Sequence, residues 1–158
     1  FFFKQKTAYE IKECDWSSDV CSSDLPQYVP LVWPVIKNFV DKSASYSGDR
    51  TESEDIKNDC QNGTVFLWVA HDDEHDTHGF VTGQFLDYPG MKVLALQFTG
   101  GRRLKEWASD MWNTLESFAR DNGCSKIEGA GRIGWLRFMK QFGCTPAFYI
   151  YEKDLRDG

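Results

Sequence analysis

Apolar positions recur with a helical period in two long segments of the chain. In residues 29–45 they fall on one face, and Pro34 suits the first turn of a helix that starts near Pro30, because a missing N–H does no harm there. The predicted face consists of Val32, Val35, Ile36, Phe39 and Val40. In residues 103–123 a single broad stripe predicts a long amphipathic helix, with Gly123 just past its end. The stripe consists of Leu104, Trp107, Ala108, Met111, Trp112, Leu115, Phe118 and Ala119.

Between these helices a short helix is predicted, and the period then changes to that of strands. The short helix can be capped by Thr51 or Ser53, and acidic residues crowd its first turn. The further predicted elements are this helix at 51–63, strands at 64–72, 79–88 and 91–98, and, after the long helix, a strand at 125–131, a helix at 134–143 and a final strand at 146–155. The first three strands form a meander, and the later strand–helix–strand order predicts parallel neighbours. Together they indicate an α/β fold with a mixed sheet.

The first 25 residues show neither period. In "CDWSSDVCSSDL", Cys14 and Cys21 have neither the close spacing nor the second ligand pair of a zinc site. Residues 1–25 resemble the conceptual translation of a sequencing adapter fused to a metagenomic reading frame, and the alternative is a disordered N-terminal tail. We expect this segment to pack poorly, with Trp16 outside the core, and to supply no ligand to any site.

Composition limits what residues 26–158 can do. Their length suits one compact domain. The whole chain has a net charge of −6, and 15 basic and 19 acidic residues remain without the first 25, a net charge of −4. This is not the basic surface of a nucleic-acid-binding protein. Cys60, Cys124 and Cys144 lack the spacing of a metal site, and no apolar run approaches the roughly 20 residues that span a bilayer. We therefore expect a reduced, cytoplasmic protein that binds neither membrane nor nucleic acid.

The segment "LQFTGGRRLKEW" leads from a strand through two glycines into the long helix. The free N–H groups and the positive end of the helix dipole meet there, and glycine lets a phosphate approach the backbone. Arg102 and Arg103 lie in this first turn, where cations are unfavourable unless an anion offsets them. The alternative is an ordinary tight turn with two solvated arginines.

All the histidines lie in "HDDEHDTH", as His71, His75 and His78 beside four acidic residues. A hairpin connection gives them no fixed convergent geometry, so we favour a solvated polar loop over a zinc or nickel site. A Ser-His-Asp or Cys-His mechanism elsewhere then has no base to use.

A second glycine-rich turn, "GAGRIGW", follows the strand predicted at 125–131. It places Arg132 at the carboxyl ends of the strands, where α/β sheets bind ligands. The alternative is that Arg132 and Arg137 pair with Glu128 or Asp154.

With this order of elements, residues 26–158 resemble the GNAT superfamily of N-acetyltransferases, and more narrowly the small GNAT-like proteins of tailed bacteriophages and prophages. The resemblance rests on "VWPVI", "LWVA", "VTGQFLDYP", the "TGG" turn before the long helix, and "GRIGWLRFMKQFGC" followed by "YIYEKDL". It implies a GNAT-like mixed sheet, an antiparallel meander followed by parallel strands, flanked by helices. It also implies an acyl-CoA-dependent N-acyltransferase with acetyl-CoA as co-substrate, no metal, and an amine acceptor that is a small molecule or a protein lysine or N-terminus. A homodimer is compatible with it.

In that superfamily, acetyl-CoA lies in a gap between the fourth and fifth strands, and a Gln/Arg-x-x-Gly-x-Gly/Ala loop binds its pyrophosphate. Gln97 and Gly100 fit the first half of this motif, whereas Arg102 takes the place of its final small residue. A short first strand would be lost with the N-terminal segment. The implied cofactor-binding residues are Leu96, Gln97 and Phe98 through their main chain, Thr99, Gly100, Gly101, Arg102 and Arg103 in the loop, and Arg132.

The resemblance leaves the proton-transferring residues open. The superfamily's Tyr, which protonates the leaving thiolate, falls on Met139, which has no proton to donate, and its Asn falls on Arg132. The remaining candidates are Glu128, Tyr149 and Asp87, together with Tyr88 as an acid. The chain is then either an acyltransferase with Asp87 or Glu128 as base, or a catalytically degenerate GNAT-like phage protein that serves as a CoA-binding, virion or interaction module.

Overall fold

The structure is a computed structural model that describes residues 26–72, 74 and 76–156. After a 3-10 turn at Pro26–Tyr28, its elements are α1 (Val29–Ala44), α2 (Ser53–Gln61), β1 (Phe66–His71), β2 (Thr77–Tyr88), β3 (Met91–Gly101), α3 (Leu104–Asp121), β4 (Lys126–Gly129) and α4 (Ile133–Met139), which a 3-10 turn at Lys140–Phe142 extends. Residues 1–25, including Trp16, and His75 lie outside the described residues, so the adapter origin of the N-terminal segment stays a prediction.

The strands form one sheet in the order β1-β2-β3-β4. The pairs β1–β2 and β2–β3 are antiparallel, and β3–β4 is parallel. Because α3 connects the two parallel strands, it crosses one face of the sheet, while α1 and α2 pack on the other. The predicted α/β fold with a mixed sheet, an antiparallel meander followed by parallel strands, is confirmed, although the parallel pair is β3–β4 and not the strands predicted at 125–131 and 146–155.

Strand alternation divides the core into two layers. Phe80 of β2 packs with the helices α1 and α2, and its neighbour Val81 packs with α3 on the opposite face. The layer under α1 and α2 contains Val29, Val32, Trp33, Ile36, Val40, Ala44, Ile56, Cys60, Val65, Leu67, Val69 and Phe80. The layer under α3 contains Trp68, Ala70, Val81, Leu94, Trp107, Met111, Trp112, Leu115, Phe118 and Ala119. Of the stripe residues predicted for the long helix, all but Ala108 are in or against this second layer, with Leu104 partly buried, and Ala108 is buried as well.

The start of α1 differs from the prediction. Because α1 begins at Val29, Pro34 lies inside the helix, where it removes one backbone hydrogen bond, and not in the first turn. Val35 is 51% exposed, and Trp33 takes its place in the core.

Helix α3 ends as predicted, at Asp121 with Gly123 beyond it at φ +74°. Among the described helices, none is both long and apolar enough for a bilayer crossing.

The cap predicted for the short helix is also displaced. Glu52, and not Thr51 or Ser53, is the N-cap of α2. Its backbone N–H donates to the Asp55 carboxylate at 2.9 Å. The acidic side chain of the third helical residue thus satisfies a backbone N–H at the helix N-terminus. The sequence predicted a cap by the hydroxyl of Thr51 or Ser53 instead.

The final strand predicted at 146–155 is wrong for this structure, since residues 143–155 form neither helix nor strand. Four of its apolar side chains, from Phe148 to Tyr151, are 72–92% exposed. The segment reaches the turn after α1 instead, where Glu152 accepts a hydrogen bond from Arg50. A physical reason is that β4 is only four residues long, so its outer edge offers few backbone groups for pairing.

Candidate functional site

The parallel strands separate at the candidate site. β3 and β4 pair from Val93 with Lys126 to Leu96 with Gly129, where β4 ends. β3 continues to Gly101 and stays paired with β2 on its other side. Beyond Leu96, therefore, no strand of the described chain lies along β3 on the β4 side. The predicted main-chain contacts at Leu96, Gln97 and Phe98 lie at this opening.

An extra residue in β3 marks the same place. Val81 pairs with Thr99 and Gly83 with Leu96, so that Thr82 stands opposite both Gln97 and Phe98. The Thr82 side chain is fully buried, and its hydroxyl accepts the Phe98 N–H at 3.1 Å. The bulge thus interrupts the regular ladder at the opening while Thr82 satisfies the freed donor. Sequence reasoning did not find Thr82, because a threonine in a strand carries no distinctive signal.

The two glycines before α3 belong to the strand and are required by packing. The predicted loop 99–103 is strand through Gly101, whose φ is +140°. A Cβ on Gly101 would lie 2.2 Å from the main-chain oxygen of His78, and one on Gly100 would lie 2.8 Å from the Phe80 ring. Both contacts are far closer than carbon atoms tolerate, so these glycines let β3 approach its neighbours whatever ligand is bound.

The main chain at the start of α3 is held from both sides. The Arg102 N–H donates to the His78 carbonyl at 2.7 Å, and the Arg102 carbonyl accepts the Trp107 indole N–H at 2.8 Å. Arg103 is the N-cap residue, with φ 55° and ψ 35°, a left-handed conformation that costs a non-glycine residue on the order of 1–3 kcal/mol. In the part of the chain that the structure describes, the N-cap side chain makes no capping hydrogen bond. The first N–H groups of a helix have no acceptor within the helix, and helix N-termini favour anions.

Both guanidinium groups of this turn contact carboxylates of the chain. Arg103 Nε donates to Glu106 Oε1 at 2.9 Å and Nη2 lies 2.5 Å from Oε2, and this hydrogen bonding is the main reason why the pKa of Arg103 is raised. Arg102 Nη2 lies 3.9 Å from Asp76 Oδ2. The structure thus offsets the two charges with acidic side chains of the protein.

Two of the histidines are buried on strands, so the solvated-loop interpretation is wrong for them. His71 is 3% exposed and His78 is 1% exposed. His78 Nε2 lies 2.6 Å from Asp72 Oδ2, and this hydrogen bond is the main cause of a lowered pKa of Asp72. Asp72 Oδ1 also accepts the N–H groups of Glu74 and Asp76, each at 3.0 Å. Within the ranges that the structure describes, no three His, Cys, Asp or Glu side chains converge as metal ligands would.

A cavity of about 360 Å³ lies beside the opening, lined by Leu104, Arg132, Gly134, Trp135 and Phe138. It separates the first residue of α3 from α4, and the extension of α4 is held by stacking of Phe142 on Trp112 at 5.3 Å between ring centres. The guanidinium carbon of Arg132 lies 4.0 Å from the centre of the Tyr46 ring. Arg132 thus makes a cation–π interaction with the Tyr46 ring.

The predicted catalytic residues are not all near this opening. Glu128 pairs with Ala95, one residue before the strands separate, and its Oε1 accepts the Tyr88 hydroxyl at 3.0 Å, which is the main reason why the pKa of Tyr88 is raised. Asp87 is exposed at the far end of β2, opposite Lys92. Tyr149, 78% exposed, lies in the C-terminal segment. The structure therefore brings Glu128 and Tyr88 together and leaves Asp87 apart.

The order of elements, the mixed sheet and the separation of its parallel strands define a GNAT-like fold. The chain is similar in structure to a probable acetyltransferase, with a TM-score of 0.66 and 14% identity over 88% of this chain and 99% of that one. It is similar to the ribosomal-protein-alanine N-acetyltransferase of Brucella melitensis biovar Abortus 2308, with a TM-score of 0.64 and 16% identity over 87% and 99% of the two chains. A predicted acetyltransferase with acetyl-CoA, from Clostridium acetobutylicum, has a TM-score of 0.62 and 14% identity over 88% and 97%. No protein-family model and no curated protein matches the sequence. Because the sequence identities are this low, the comparisons show a similarity of fold alone.

Proposed function

We propose that the protein is an acyl-CoA-dependent N-acyltransferase that transfers an acetyl group to an amine. The observation that carries this proposal is the separation of β3 from β4 after Leu96 and Gly129, directly beside the start of α3 and the cavity. A structure of similar fold, the predicted acetyltransferase of Clostridium acetobutylicum, holds acetyl-CoA. A thioester with a long polar arm and a diphosphate needs both a strip of free backbone and an anion site. The separated part of β3 and the N-terminus of α3, which adjoin here, support the proposal because they could serve these two needs.

The proposed cofactor contacts divide by chemistry. The main chain of Leu96, Gln97 and Phe98 would bind the amide groups of the pantetheine arm, because β3 has no strand partner on the β4 side beyond Leu96 among the described residues. The N–H groups at the start of α3, with Arg102 and Arg103, would bind the pyrophosphate. Thr99, Gly100 and Gly101 shape the approach to this turn, and Arg132 faces the cavity from the start of α4.

In the proposed reaction a neutral amine attacks the thioester carbonyl carbon, a C–N bond forms and the C–S bond breaks. The amine loses one proton to a base, and the sulfur leaves as thiolate and gains a proton to become CoA thiol. Glu128 is the base in this scheme, because its carboxylate lies one residue from the opening and is oriented by the Tyr88 hydroxyl. The acceptor would approach from the face of the sheet that carries these two side chains.

A second candidate function is cofactor binding without turnover, as in a degenerate GNAT-like phage protein that acts as a virion or interaction module. Met139 favours it. This residue stands where the superfamily has its proton-donating Tyr, and it is partly buried against the core under α3. A thioether there packs but donates no proton.

Isothermal titration calorimetry of the whole chain with acetyl-CoA tests the cofactor, and CoA-thiol release with a panel of amines tests turnover. We expect binding, and the double substitution Arg102→Ala with Arg103→Ala should weaken it by about tenfold or more, the size of a lost charge-assisted contact to phosphate. Arg120→Ala is the matched control, because Arg120 is an exposed arginine at the other end of α3.

The outcomes separate the two candidates. Binding with CoA release supports the acyltransferase, and binding without release under any amine supports the degenerate module. If acetyl-CoA at millimolar concentration shows no binding, both are wrong. Equal affinities of the double variant and the wild type would place the pyrophosphate elsewhere.

A further inference from the structure

The arginine pair at the start of α3 carries its own counter-charges. We propose that Asp76 and Glu106 act as internal counter-anions, which hold Arg102 and Arg103 in the ligand-free protein and which a bound diphosphate must displace. The two acidic residues then set the affinity of the site, each in the direction of weaker binding. This inference rests on the proposed function, since it assumes that a diphosphate binds at this turn.

Glu106 is placed by the helix itself. It lies three residues after Arg103, so both side chains project from the same face of the first turn. The pair has two contacts, at 2.9 and 2.5 Å, as a planar guanidinium makes with a carboxylate or a phosphate. Its side chains are 53% and 46% exposed, so an arriving anion can reach the guanidinium and compete for it.

Asp76 is placed by the turn between β1 and β2. The Asp72 N–H donates to the Asp76 carbonyl at 3.0 Å, and Asp72 Oδ1 accepts the Asp76 N–H at 3.0 Å, which closes the turn. Asp72 also shares a hydrogen bond with the His78 ring, and the His78 carbonyl accepts the Arg102 N–H. A continuous path of hydrogen bonds therefore links Asp76 to the backbone of Arg102. The 3.9 Å ion pair between their side chains is a product of this framework.

The negative charges of Asp76 and Glu106 both oppose the binding of an anion at this turn. A carboxylate within a few ångströms of the helix N-terminus stabilises that end through the dipole, and a phosphate draws on the same attraction. Ligand and carboxylate repel each other across distances shorter than the Debye length of about 8 Å at physiological salt. Removing either negative charge should thus free an arginine and lessen the repulsion.

The test uses inorganic diphosphate and CoA as separate probes in calorimetry at about 0.15 M salt, with the whole chain. The variants are Asp76→Asn, Glu106→Gln and the double substitution, all nearly isosteric. We expect each single change to tighten the dissociation constant about two- to fivefold, the range an exposed ion pair supports, and the double change about tenfold. At about 1 M salt the differences should vanish, which a change in packing would not produce. Glu116→Gln is the control, because Glu116 pairs with Arg120 at 2.9 Å near the far end of the same helix, and it should bind as the wild type does.

The proposal is overturned if the double variant binds both probes within twofold of the wild type, or more weakly, or if neither protein binds either probe. Its failure is distinguishable from that of the proposed function. Tighter diphosphate binding by the variants with no acetyl-CoA turnover would keep the counter-anions and reject the acyltransferase. Turnover of acetyl-CoA with affinities that the substitutions leave unchanged would do the reverse.

Discussion

Replacing Gly101 by alanine separates two roles that a glycine at this turn can have. If Gly101 serves only to let a phosphate approach the backbone, Gly101→Ala should weaken ligand binding and leave the fold intact. If it serves the packing of β3 on β2, the folded protein itself should be destabilised. The structure supports the second role, since the new Cβ would lie 2.2 Å from the His78 carbonyl oxygen and 2.5 Å from Gly79 Cα.

The expected size follows from two costs. A φ of +140° is a region that residues with a Cβ rarely adopt, at a cost of about 1–3 kcal/mol. Overpacking against backbone atoms that cannot rotate away adds about 1–3 kcal/mol. The sum, about 2–6 kcal/mol, is a large share of the roughly 5–15 kcal/mol that stabilises a typical domain. It corresponds to a fall in melting temperature on the order of 10 °C.

Thermal unfolding of wild type and variant, followed by circular dichroism, measures this effect. Gly90→Ala is the matched control: it lies in the turn between β2 and β3, and a Cβ there meets nothing within 4 Å. We expect the control to stay within about 0.5 kcal/mol of the wild type. A Gly101→Ala protein that melts within about 2 °C of the wild type would refute the packing argument.

Three further substitutions test the site and its support. Trp107→Phe loses the hydrogen bond to the Arg102 carbonyl, so it should lower the free energy of unfolding in urea by about 1–3 kcal/mol, and an unchanged midpoint would contradict this. Glu128→Gln should slow CoA release about 10²-fold or more without lowering the melting temperature, and a rate within threefold of the wild type would exclude Glu128 as the base. The hydrogen bond from His78 lowers the pKa of Asp72 from its ordinary value of 3.8, so the charged carboxylate stabilises the fold above that value and the benefit is lost as the pH falls below it. The difference in melting temperature between wild type and Asp72→Asn should therefore be full near about pH 6 and shrink toward about pH 3, whereas a constant difference would argue against the pair.

Much of the fold could be predicted because its signals are local and repeated. The stripe of the long helix extends over five turns, and each of its residues reports the same face. The meander was readable because β-rich segments alternate with turn residues at short spacing. Where a single residue had to decide, prediction failed. Pro34 looked like a first-turn proline, but an earlier turn had already started the helix.

The candidate site was predictable in part for the same reason. A strand, two glycines, two arginines and a long helix are consecutive, so the sequence predicts an anion site at Thr99 to Arg103 without knowledge of the fold, and that site stays a prediction. The sequence could not reveal that Asp76 lies beside Arg102 or that the Tyr88 hydroxyl donates to Glu128. The first two residues are separated by 26 positions in the chain and the second two by 40, so each pair meets only through the sheet register. It also assigned His71 and His78 to a solvated loop, because polar neighbours hid their burial.

By itself, then, the sequence determined the order of the elements as far as α4, the faces of the long helix and strands, and the strand-to-helix junction where Gly100, Gly101, Arg102 and Arg103 stand together. These properties depend on neighbours within one or two turns. Only the tertiary structure decided where β3 and β4 part, why Gly101 must be a glycine, and which carboxylates face the two arginines. Those properties depend on distances between strands and helices that are far apart in the chain, and they are set by packing and strand register.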